Sequence, residues 1–145
     1  MKMRRALRFA AGLVLATPCV AWSCDGLEFD SPWIREPPPG AAAAAAYGTL
    51  RNAGDSPIEV DRVAAAGFGM AMLHETVQMD GRVGMRHRER LTVPAHGELK
   101  LSPGGLHVML MHPAKPLAAG DEAELTLGCG DAERSWRVPV RDAAP

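Results

Sequence analysis

The stretch GGLHVMLMHP, residues 104–113, sets His107, Met109, Met111 and His112 within six positions. Imidazole nitrogen is a borderline metal donor and thioether sulfur a soft one, so these residue types together point to metal chemistry. The crowding extends beyond this stretch. All five histidines and six of the eight methionines lie between Met70 and His112, and only Met1 and Met3 fall outside that window. Read as a strand, the stretch puts His107, Met109 and Met111 on one face and Val108 and Leu110 on the other. A packing reading also fits: a central strand buried on both faces, with methionines filling the core and His107 at its rim.

A second stretch, MLHETVQMDGRVGMRH, bears on the choice. Asp80-Gly81 between two strand-like runs is a favoured two-residue hairpin turn. Counting outward from it, Met79 faces Arg82, Thr76 faces Met85 and His74 faces His87. His74 and Met85 are then diagonal neighbours on one face, roughly 7–8 Å apart at the backbone. If this face meets the His107 strand, two imidazoles and two thioethers converge. Neutral thioether sulfur suits Cu(I), whereas zinc sites use Cys, His or carboxylate. A donor set without negative charge also matches a monovalent ion better than a divalent one.

Other residues in the window have plainer readings. Met111 shares parity with Met109 and is either a reserve ligand or a packing residue. His87 faces His74 and is a transient ligand at most. Met70 and Met72 share the parity of His74, and Met79 adjoins the turn; all three are expected to pack. His96 lies in the turn PAHGE as a solvated side chain, and His112 points away from the site face. Glu75 falls on the opposite face from His74 and reads as a rim charge.

The elements that must position these residues are short strands. The chain has 145 residues, 47% hydrophobic, with a net charge of −1, which suits one globular domain and lacks the basic footprint of a nucleic-acid binder. It opens with Lys2, Arg4, Arg5 and Arg8, followed by an apolar run at 9–21 and small residues before Cys24. That is the pattern of a secretory signal peptide, residues 1–23, cleaved to leave a mature domain of residues 24–145. The apolar run is too short to span a bilayer comfortably, so no stable membrane insertion is expected. A lipid-attachment reading of Cys24 fits poorly, because Trp22 is bulky and Ala21 stands where Leu is expected. Cleavage removes Cys19 and leaves Cys24 and Cys129, which are either a disulfide or two free thiols. Beyond Cys24 the runs LEFDSPWIRE, AAAAAAYGTLRN, IEVDRVAAA, MAMLHETVQ, RVGMRHRERLTV, GELKLSP, LHVMLMHP, EAELTLGC and RSWRVPV alternate with turn residues. Strands at this spacing predict an all-β antiparallel sandwich or Greek-key barrel. The alanine run at 41–46 is too short to nucleate a helix and reads as a strand approach.

His74, ten residues, Met85, twenty-one residues, His107, one residue, Met109: this spacing resembles the signature His-x10-Met-x21-His-x-Met of PCu(A)C-type periplasmic copper chaperones. LHETV, PGGLHVML, KPL, WIREPPPG and AAYGTLRN resemble that family too, and the likeness covers roughly residues 25–140. It implies a cupredoxin-like β-sandwich in the periplasm in which His74, Met85, His107 and Met109 bind Cu(I). It also implies delivery to a copper acceptor, either a cytochrome c oxidase subunit with its dinuclear copper centre or another assembly chaperone. Some relatives carry a His- and Met-rich tail that binds Cu(II). This chain ends in VRDAAP, so that second site is not expected.

Three other functions compete. A blue-copper electron carrier needs a cysteine thiolate close to further ligands, and Cys129 is followed by GDAERSW. Copper buffering or resistance would use the same four ligands as delivery, and the residues do not separate the two. An enzyme is not expected, since no nucleophile motif, phosphate loop or carboxylate pair is present.

Overall fold

The computed structural model describes residues 23–145, so the leader read at residues 1–23 lies, apart from Ser23, outside the described residues. Strand β1 (Leu27–Arg35) begins with Leu27 and Phe29 facing inward, and a bulge between Asp30 and Trp33 interrupts its pairing. Ser31 takes the left-handed conformation there, with φ 47°. The extra residue reverses parity, so Ile34 continues the core and Trp33 turns to the other face. Strand β2 (Ala43–Asn52) contains the end of the alanine run. Its helix propensity is overridden because Ala46 pairs with Ile34 on one side and with Val108 on the other.

The run IEVDRVAAA divides at Asp61 into β3 (Ile58–Val60) and β4 (Arg62–Ala65), which join different sheets. Next come β5 (Phe68–Met79) and β6 (Arg82–His87), a hairpin over Asp80 and Gly81. Both turn residues have positive φ, 50° and 73°, as the tight hairpin turn requires. The run RVGMRHRERLTV also divides, into β6 and β7 (Leu91–Val93). The chain continues as β8 (Glu98–Leu101), β9 (Leu106–Pro113), β10 (Glu122–Cys129) and β11 (Ala132–Arg141).

The main sheet runs β4-β10-β11-β1-β2-β9-β5-β6, with β8 alongside β2, while β3 and β7 form a small separate sheet. All its pairings are antiparallel except one: β11 lies parallel to β1, with Ile34 opposite Val140. The expected antiparallel arrangement is corrected at that point, because the last strand returns beside the first on the edge that β2 leaves free. Among the described residues one core gathers Leu27, Leu50, Val108, Leu110, Leu125 and Val138, all fully buried, with their neighbours. Each such side chain contributes about 1.5–3 kcal/mol. No helix among the described residues is long and apolar enough to cross a membrane.

Cys24 and Cys129 are bonded, with Cα atoms 5.4 Å apart and a sequence separation of 105. Both are buried in the same core, so the bond ties the segment before β1 to the end of β10. Closing a loop of that length stabilises the fold by about 2–5 kcal/mol. Thiol titration of denatured, unreduced protein is therefore expected to find Cys24 and Cys129 unreactive. Replacing both by alanine is expected to lower urea stability by that amount; two free thiols in the unreduced protein would reject the bond.

Candidate metal centre

The core decides which face of the sheet carries the site. Leu73 on β5 and Val108 and Leu110 on β9 are buried in the core, so strand alternation sends Met72, His74, His107 and Met109 to the opposite face. The β5–β6 ladder has the register counted from the turn: His74 opposite His87, Thr76 opposite Met85, Met79 opposite Arg82. The β5–β9 ladder places His74 opposite His107 and Met72 opposite Met109. His74 is thus the hub. His107 is its direct neighbour, and Met85 and Met109 are each one diagonal step away on opposite sides of the His74–His107 rung.

The His74 and His107 ring centres lie 5.9 Å apart with planes at 84°. A metal bonded at roughly 2 Å to a nitrogen of each ring sits about 3 Å from each ring centre. That spacing matches one ion held between the two rings. His87 is equally close to His74, at 5.9 Å and 82°, and lies on the edge strand β6 with Met85. Among the described residues no three His, Cys, Asp or Glu side chains converge as a metal site. The soft donors that flank the two imidazoles on this face are the thioethers of Met85 and Met109.

Electrostatics prepare both rings. His107 is 3% exposed, and its Nδ1 lies 3.1 Å from the Gly105 carbonyl oxygen. A carbonyl only accepts, so Nδ1–H donates, which leaves Nε2 as the ring nitrogen available to a metal. The same carbonyl accepts from the Thr76 amide at 3.0 Å, tying β5 to the turn before β9. Gly104 makes that turn with φ 82°. Burial first, and then the neighbouring His107 and His87, hold the His74 imidazole below the usual histidine range, so it is a neutral donor at neutral pH. Its Nδ1 is buried without a hydrogen-bond partner. Leaving such an atom unpaired costs on the order of 1–3 kcal/mol, and a metal ion would satisfy it.

A row of rings continues across the sheet. Tyr47 on β2 stands 6.3 Å from His107, and Trp33 on β1 stands 5.1 Å from Tyr47. These two buried aromatics wall the site on the side away from Met85, and burial raises the Tyr47 phenol above its ordinary range against the opposing pull of Arg35. Sequence reasoning did not connect them or the Gly105 carbonyl to the site. The shared parity of Tyr47 with Ala45 was the available signal, whereas Trp33 depended on an unforeseen bulge.

The remaining residues fall as follows. Met85 is 59% exposed on the edge strand, while Met109 and Met111 are half-buried. Glu75 pairs across β6 with Arg86 and meets Arg88 at 3.4 Å, off the site face. His96 is in contact with Asp55 at 2.7 Å in an exposed turn, and His112 is exposed with φ 55°. Cys129 is held in its disulfide, so it supplies no thiolate for a blue-copper centre.

This is a cupredoxin-like β-sandwich with a histidine and methionine face, the architecture of PCuAC domains. The model of the LpqE-like family matches residues 27–140, and the chain belongs to that family, on its PCuAC side. The copper-bound PCuAC domain of PmoF2 is 26% identical with TM-score 0.66, covering 83% of this chain and 94% of that one. The Cu(I) form of DR1885 from Deinococcus radiodurans is 33% identical with TM-score 0.60, covering 77% and 76%. Lxx21020 of Leifsonia xyli subsp. xyli, a protein with a lipoprotein name, is 33% identical over 120 residues, 81% of this chain and 71% of its own length.

The site assignment has a direct test. Met109→Leu keeps apolar volume and is expected to cost under about 1.5 kcal/mol of stability, yet to weaken the tightest Cu(I)-binding step by tenfold or more in chelator competition. Met111→Leu changes volume equally and is expected to leave that step intact. Equal weakening by the two would overturn the assignment of Met109.

Proposed function

We propose that this protein is an extracytoplasmic metallochaperone that binds Cu(I) through His74, Met85, His107 and Met109 and passes it to a copper acceptor. The observation that carries this reading is the His74–His107 rung, with an unpartnered buried nitrogen on His74 and a methionine to either side. The donors are neutral and partly soft, which favours Cu(I) over Zn(II) and Cu(II). The copper-bound PmoF2 domain supports copper as the metal, and the Cu(I) form of DR1885 supports this oxidation state.

Delivery, rather than storage, is the reading suited to the position of Met85. It sits on an edge strand, 59% exposed, one strand further from the His74–His107 rung than Met109. An acceptor ligand can take its place on the ion while His107 and Met109 still hold. The proposed acceptor is the dinuclear copper centre of cytochrome c oxidase or another chaperone on the way to it. The proposed compartment is the periplasm, reached by a mature chain of residues 24–145; the lipoprotein name of the Leifsonia relative agrees with an exported protein. No catalytic step is assigned. Copper buffering with the same ligands is the alternative.

Two measurements decide. Competition with a Cu(I) chelator is expected to show Cu(I) bound far more tightly than Zn(II); the reverse order would mean that the histidines act without the thioethers. Mixing the Cu(I)-loaded protein with the apo copper domain of the oxidase is expected to move copper to that domain within the mixing experiment. Retention of the ion against an excess of acceptor would favour buffering.

A further inference from the structure

The four proposed ligands leave three methionines of the same face unused. The β5–β9 ladder sets Met70 opposite Met111, one rung beyond the Met72–Met109 rung. Directly opposed residues have Cα atoms roughly 4.5–5.5 Å apart, and Met72 is diagonal to Met111 at roughly 7–8 Å. Three long, flexible thioethers thus stand at the corners of one small triangle. On the other flank, Met109 and Met111 face Ala45 and Ala43 of β2. Those side chains end at Cβ, so at these two rungs β2 leaves the space above the sheet open.

Packing alone accounts poorly for this arrangement. The core lies on the opposite face, where Ala71, Leu73, Val108 and Leu110 point. Met70 is 46% exposed, and Met72 and Met111 are half-buried. A sheet face open to water gains more from β-branched or polar residues than from unbranched apolar ones. What methionine supplies here is a soft donor on a three-bond arm.

We infer that Met70, Met72 and Met111 form a second Cu(I) site, weaker than the first, from which copper reaches the histidine pair. Three neutral thioethers bind Cu(I) and offer little to Zn(II) or Cu(II). The triad adjoins Met109 through Met72, so an ion moves from one site to the other by exchanging single thioethers along the rungs. This role as an entry site rests on the proposed binding of Cu(I) at His74, Met85, His107 and Met109.

The test follows methionine methyl signals in full-length mature protein labelled with carbon-13 at the methionine methyls, titrated with Ag(I) as a redox-inert stand-in for Cu(I). The first equivalent is expected to shift Met85 and Met109, and the second Met70, Met72 and Met111, with Met79 on the opposite face unmoved throughout. Met70→Leu and Met111→Leu are each expected to abolish the second phase and preserve the first. A second equivalent that leaves the triad unmoved, or shifts Met79 as much as the triad, overturns this inference while the four-ligand site stands. A first equivalent that leaves Met85 and Met109 unmoved overturns the four-ligand site and the entry role with it.

Discussion

Everything at the site depends on the antiparallel register between β5 and β9. Slipping either strand by one residue would send His74 or His107 into the core and bring Leu73 or Val108 out to water. Because Leu73, Val108 and Leu110 are buried, such a slip forfeits several kcal/mol of apolar burial, about 1.5–3 for each side chain exposed. The hydrophobic core thus specifies the metal face without touching it. Two local devices hold β5 against its two neighbours. The Asp80-Gly81 turn fixes β6 against β5, and the Gly105 carbonyl receives hydrogen bonds from both Thr76 on β5 and His107 on β9.

A gradient of burial crosses the constellation. His107 is 3% exposed, walled by Tyr47 and Trp33 and held in one tautomer; Met85 is 59% exposed on an edge strand. A buried, hydrogen-bonded ring loses little freedom when it binds metal, whereas an exposed methionine must be ordered at a cost of about 1–2 kcal/mol. The affinity of the proposed site is therefore concentrated on the β9 side and its lability on the β6 side. A carrier needs that separation, because the ion must stay held while one position opens to the acceptor.

The sequence made some of this legible for identifiable reasons. The β5–β6 register followed from Asp80-Gly81 because a turn with two positive φ values fixes the pairing on both sides, and the parity of His107 and Met109 followed from strand alternation. The β1 bulge at Ser31 was hidden, since no residue there announces an extra position, and with it went the placement of Trp33. Asp61 splits IEVDRVAAA because Val60 and Arg62 pair with strands far apart in the chain, β7 and β10. Local composition does not encode such a division. The parallel contact between β1 and β11 is likewise a property of the closed fold.

Cys24 has two competing uses in an exported chain, a disulfide and a lipid anchor. A sulfur bonded to Cys129 has no valence left for a thioether-linked lipid, so the two uses of Cys24 exclude each other. Cys24 is 2% exposed beside Leu27 and Cys129 in the core, and freeing it for a lipid would forfeit the bond's contribution of about 2–5 kcal/mol. The bridged form thus favours a domain closed at Cys24 rather than tethered there. In the proposed role, the exposed β6 edge with Met85 is the side of the metal face an acceptor can approach.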